Sequence, residues 1–190
     1  MAMTGSRLEL AGNVLGNQAV WLCAVAGAGR GLAWPGVASA LVYCTWQLRG
    51  PDSRGMDLKL IVAALLMGSA IDGAMAASGW LAYAAPWPSA GFAPAWILAL
   101  WAAFAMLPMH ALAWLRHRPL LAFALGAVGG PLAYLAAARG FGAVALAGPP
   151  LATVSALSVA WGVALVVLMQ LAVRARGRAR PAPAMKGTGA

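Results

Sequence analysis

Apolar residues in this chain are not scattered. They gather into long runs, and the charged residues fall almost entirely in the gaps between them. A helix needs about 20 consecutive apolar residues to cross the hydrocarbon core of a bilayer. Six runs reach or approach that length, at about 11–28, 32–48, 58–84, 95–115, 119–138 and 151–173. Each ends at charges or at Gly and Pro: Gly29-Arg30-Gly31 after the first, RGPDSRG after the second, and the uncharged loop APWPSAGFAP after the third. The pattern predicts an all-α, polytopic transmembrane bundle of about six spans. Residues 1–10 form an N-terminal segment, 11–173 the membrane domain and 174–190 a tail. The stretch GFGAVALAGPP, within 140–150, is too short to span and too apolar for an ordinary loop, so it is expected to lie at the interface or to re-enter.

Charge fixes the orientation. With the N-terminus inside, the cytoplasmic segments hold eleven basic residues and the outer segments only Arg30 and Arg139. Such a bias favours both termini in the cytoplasm of a bacterial inner membrane. Trp34, Trp80, Tyr83, Trp87 and Trp96 would then form the outer aromatic belt, and Trp46 and Trp114 the inner one. Trp21, Trp101 and Trp161 are left to pack inside. Arg7 precedes the first run, but Asn13, Asn17 and Gln18 interrupt that run, so it reads as a retained span rather than a signal peptide.

Composition sharpens this picture. Of 190 residues, 63% are hydrophobic and 9% charged, too few charges to cover a soluble globule. The net charge of +9 follows the topogenic pattern, with five basic residues after Val173, so nucleic acid is not an expected partner. The tail RARGRARPAPAMKGTGA is expected to be disordered and to rest on anionic lipid headgroups, where each basic residue contributes about 1 kcal/mol. Cys23 and Cys44 lie in separate apolar runs without metal-ligand spacing and read as small buried residues. No cofactor or metal motif is present, and neither HExxH, GxSxG nor a Walker loop occurs.

Few residues can carry chemistry. Asp72 is the one acid inside an apolar run, ~20 Å along its helix from Lys59. An ionisable group there costs at least about 2.5 kcal/mol and calls for a reason. It reads as a proton- or cation-binding carboxylate or as a polar clasp between helices, with Gly68, Ala76 and Gly79 forming a small-residue face beside it. Its expected partners are Asn17 or Gln18 of the first run and Tyr134 of the fifth, with Arg139 as a further candidate. Asn13 and Asn17, four residues apart, share a helix face. His110 follows Pro108, which is expected to bend the fourth helix. Gly129-Gly130-Pro131 is expected to interrupt the fifth.

The residues Asn17, Gln18 and Trp21, the pair Asp72-Gly73, the run PAWILALW and the stretch GGPLAYLAAARGFGA resemble a small family of proteobacterial inner-membrane proteins known only as a domain of unknown function. The resemblance spans about 13–173. It implies a multi-pass protein and supplies no activity or catalytic residue. Three functional classes follow from the residues: an accessory or scaffold protein of envelope or lipid metabolism with a membrane-protein partner, a small proton-coupled transporter using Asp72, or a membrane-embedded enzyme acting on a lipid.

The orientation predicts that a periplasm-active reporter fused after Gly91 or Pro149 is active and that fusions after Ser53, His117 or Gly177 are silent. Activity after Ser53 would overturn the inside placement of the N-terminus.

Overall fold

The computed structural model describes residues 2–50 and 53–178. The element order is α1 (Ala2–Ala28), α2 (Trp34–Gln47), α3 (Arg54–Ala77), β1 (Leu81–Tyr83), α4 (Ala95–Phe104), α5 (Pro119–Phe141), β2 (Val144–Leu146) and α6 (Pro150–Arg178), with one 3₁₀ turn at Ala113–Leu115. The fold is all-α apart from a two-stranded antiparallel ribbon in which Leu81, Ala82 and Tyr83 face Leu146, Ala145 and Val144. By length and composition, α3, α5 and α6 are apolar enough to cross a membrane. The short helix α4 lies at the centre, packed against α1, α2 and α3, while α5 and α6 form a closely apposed pair.

Several expected boundaries shift, each for a local reason. The fourth helix, expected over 95–115, ends at Phe104. Pro108 has no N–H, and its ring collides with the carbonyl four residues earlier, which belongs to Phe104. Turns then carry the chain to α5. The third helix stops at Ala77 instead of reaching 84, because Gly79 takes a left-handed φ of 71° and turns the chain into β1. Within the 140–150 stretch, Val144–Leu146 form β2, which pairs with β1. The expected break at Gly129-Gly130-Pro131 does not occur, and α5 continues through Pro131. Proline disfavours the helical region for its predecessor through clashes with that residue's N–H and Cβ, and Gly130 removes the Cβ part. At the far end, α6 runs past Val173 to Arg178, because Ala and Arg are good helix formers. The rest of the expected disordered tail, 179–190, lies outside the described residues. The N-terminal segment begins as α1 itself.

Aromatic placement also departs from the expected belts. Trp34, Trp87, Trp46 and Trp114 are exposed, but Trp96 and Tyr83 are buried. Trp96 donates its indole N–H to the Ala84 carbonyl at 2.9 Å and packs edge-on against Tyr83. Cys44 is buried as expected, whereas Cys23 is exposed on the outside of α1.

Helix packing follows one device used repeatedly: a glycine receives an aromatic ring. A Cβ at Gly12 would strike Trp46, at Gly16 Tyr43, at Gly68 Trp101, at Gly130 Trp161 and at Gly162 Phe123. Small residues let helices approach where lipid supplies no hydrophobic drive for association. Gly129 differs from its neighbour, since a Cβ there meets nothing within 4 Å. Gly130→Ala should therefore lower stability in detergent by about 1–3 kcal/mol through overpacking. Gly129→Ala should leave it unchanged or raise it by up to about 1 kcal/mol through helix propensity. Thermal unfolding of the two variants checks this pair, and equal effects would contradict the glycine–ring account.

Candidate polar clasp and cavity

Asp72 is fully buried near the end of α3. One turn earlier, Gly68 lets the Trp101 indole lie against the helix backbone. Asp72 sits on the same face and accepts the Trp101 Nε1–H on Oδ2 at 2.7 Å. After the Gly79 turn, β1 runs back beside α3 and Tyr83 donates to Oδ1 at 2.8 Å. From α5, the Tyr134 hydroxyl donates to the same oxygen. Three uncharged donors from three elements thus converge on one carboxyl, and no cation reaches it among the described residues. A buried acid held this way is satisfied by hydrogen bonds alone.

Trp101 and Tyr134 are also wall residues of a cavity of about 540 Å³ between α1, α4, α5 and α6. Trp161 stacks on Trp101 with ring centres 4.2 Å apart and planes 15° from parallel, and Phe104 meets Trp161 edge-on. Asn17 and Gln18 supply polar side chains from α1. Gln18 on α1 and Leu125, Gly129 and Leu132 on α5 line the cavity and are exposed on the bundle surface, so it opens sideways between these helices. Near one end α1 and α5 meet, where Trp21 packs edge-on against Phe141. The carboxyl of Asp72 lies behind the Trp101–Tyr134 wall, outside the cavity lining.

A second polar cluster lies about 22 Å away along α3, 15 residues before Asp72 at 1.5 Å each. Asn13 of α1 is buried; its amide donates to the Tyr43 hydroxyl and the Met106 carbonyl and accepts from the Ala111 N–H at 3.1 Å. Tyr43 in turn donates to the Asn13 carbonyl. The Met106 and Ala111 groups belong to the turns on either side of Pro108 that follow α4, so Asn13 satisfies backbone that no helix pairs. His110 extends from the same turns to within 3.5 Å of the fully buried Asp57.

The residues singled out by sequence are therefore divided. Tyr134 reaches Asp72. Asn17 and Gln18 do not; they face the cavity and make no hydrogen bond with the described residues. Arg139 is exposed near the end of α5 and forms no ion pair with Asp72. His110 belongs to the Asp57 cluster, remote from Asp72. Sequence reading missed Trp101, Tyr83, Tyr43 and Asp57. The Gly68–Asp72 spacing held a signal for Trp101, because a glycine one turn from a buried acid leaves room for a large donor. Asp57 was hidden among the charges around the first turn of α3. Among the described residues, no three His, Cys, Asp or Glu side chains gather as metal ligands.

The family described as "Protein of unknown function (DUF2878)" matches residues 10–167, and the chain belongs to it. No curated protein and no solved structure matches the chain.

The clasp predicts a graded response to substitution. Asp72→Leu leaves three donors without an acceptor and should cost about 3–5 kcal/mol. Asp72→Asn keeps one acceptor oxygen and should cost less, and Tyr134→Phe about 1 kcal/mol. Thermal unfolding in detergent reads the order, and a harmless Asp72→Leu would contradict the clasp.

Proposed function

We propose that this chain is a multi-pass protein of the bacterial inner membrane that binds a lipid-soluble molecule in its lateral cavity, acting as a non-enzymatic accessory protein of envelope or lipid metabolism. In this reading six segments cross the membrane with both ends in the cytoplasm. The charge bias supports that orientation, as do exposed Trp34 and Trp87 toward one side and Trp46 and Trp114 toward the other. α4 is only ~15 Å long and needs the turns after it to complete a crossing. Irregular backbone is tolerated at membrane depth where protein satisfies it, and Asn13 does so for Met106 and Ala111.

The observation that carries the binding reading is the lining of the cavity. It is aromatic and aliphatic, with two amides, and among the described residues its only ionisable side chain is Tyr134, whose hydroxyl is committed to Asp72. Ligand sites are typically apolar with a few placed polar groups. An enzyme would need a base or nucleophile facing the substrate, and a carrier would need its carboxyl in contact with the pathway. Asp72 is sealed behind three donors, which favours the clasp over the carrier.

In proteoliposomes, a photoactivatable fatty acid should label the Trp21–Val25 and Leu132–Ala137 stretches saturably. Gly129→Leu fills open space at the cavity mouth and should remove the saturable fraction without loss of thermal stability. Labelling that is unsaturable and uniform over all lipid-facing helices would contradict the binding function.

A further inference from the structure

Resting on that reading of the cavity, we infer that its ligand carries a flat, carbonyl-bearing ring on an apolar tail, the chemistry of a membrane quinone, with Asn17 and Gln18 as the residues that hold the ring. Two features select this class. The first is the pair of amides. Asn17 and Gln18 open into an apolar cavity and have no hydrogen-bond partner among the described residues. A plain acyl chain would cover both amides and satisfy neither, which is unfavourable for a polar group taken out of water. Each amide offers two N–H donors and one acceptor oxygen, so carbonyl oxygens at the ring edge match them.

The second feature is shape. On α5, Gly129 leaves open space where a Cβ would meet nothing within 4 Å, while Gly126 and Gly130 are covered by Trp161 and the α6 backbone. Trp161, already parallel to Trp101, and Trp21, one turn beyond Asn17, bound the space with rings. Aromatic faces and edges favour offset or edge-on partners with a flat ring. A slot with ring-lined sides and open space at Gly129 accepts a plate more readily than a branched or bulky head. The tail leaves through the opening between Gln18 and Leu132, where the lining residues already face the bundle surface.

The test is competition in proteoliposomes against the photoactivatable fatty acid. The probes are a decyl-substituted benzoquinone and decylbenzene, which shares the tail and ring but lacks the carbonyls. The quinone should compete about tenfold more effectively, as expected for two neutral hydrogen bonds of modest net strength. Asn17→Leu with Gln18→Leu should erase that advantage. Neither amide bonds to the described protein, so this variant should fold; Asn17→Ser with Gln18→Ser, shorter but still polar, serves as a second variant and should lose most of the advantage. Equal competition by both probes, or an advantage that survives both double variants, would overturn the ring assignment while the cavity's binding role stands. Competition by neither probe, with no saturable labelling to displace, would mark failure of the cavity reading itself.

Discussion

A carboxyl enclosed by apolar helices must find hydrogen-bond donors within the protein, and Asp72 finds three. That requirement fixes much of the architecture. Trp101 can reach Oδ2 only because Gly68 lets α4 lie against α3. Tyr83 can reach Oδ1 only because Gly79 turns β1 back along the helix. Tyr134 draws α5 to the same oxygen. With Trp101 held, Trp161 stacks on it and brings α6 into register. Two of the residues that satisfy the acid are thus also walls of the cavity, which couples the stability of the clasp to the shape of the binding space.

The opposite end of the bundle repeats the logic with an amide. Pro108 ends α4 after ten residues and leaves backbone groups to be satisfied. Asn13 bridges Met106 and Ala111 and locks to Tyr43, whose ring occupies the space left by Gly16. In both places a glycine admits an aromatic ring, and a polar side chain three or four residues away on the same helix bonds to that ring's polar atom: Asp72 accepts from the Trp101 indole, and the Asn13 amide donates to the Tyr43 hydroxyl. Packing and polar satisfaction are solved by one arrangement, which suits an environment where burial against lipid gains little.

Much of this was legible in the sequence because the strongest signals were long and local. Six helices appear where six apolar runs were read, and the isolated acid marked the place where helices are tied together. Pairings between distant segments were harder. Tyr83 and Trp96 looked like interfacial aromatics, since nothing local says that β1 folds back to bury them. Asn17 and Gln18 were assigned to Asp72 by depth alone, but their helix face is turned to the cavity. Pro131 looked like a break because the relief provided by Gly130 depends on a Cβ that is absent. Asp57 falls among the charges that separate two apolar runs; His110, from the turns after α4, packs against it, which no periodicity announces. Orientation rests on the distribution of basic residues, a property that helix packing does not encode.

The central claim is that Asp72 holds Trp101, and the Trp101 indole proton reports on it directly. Its exchange with solvent can be followed by NMR on the protein in lipid nanodiscs, with the exposed indoles of Trp34 and Trp87 as internal references. The clasp predicts that the Trp101 Nε1–H exchanges far more slowly than those two in the native protein. In Asp72→Leu its protection should fall sharply toward theirs. Rapid exchange in the native protein, or protection that persists without the carboxyl, would contradict the account.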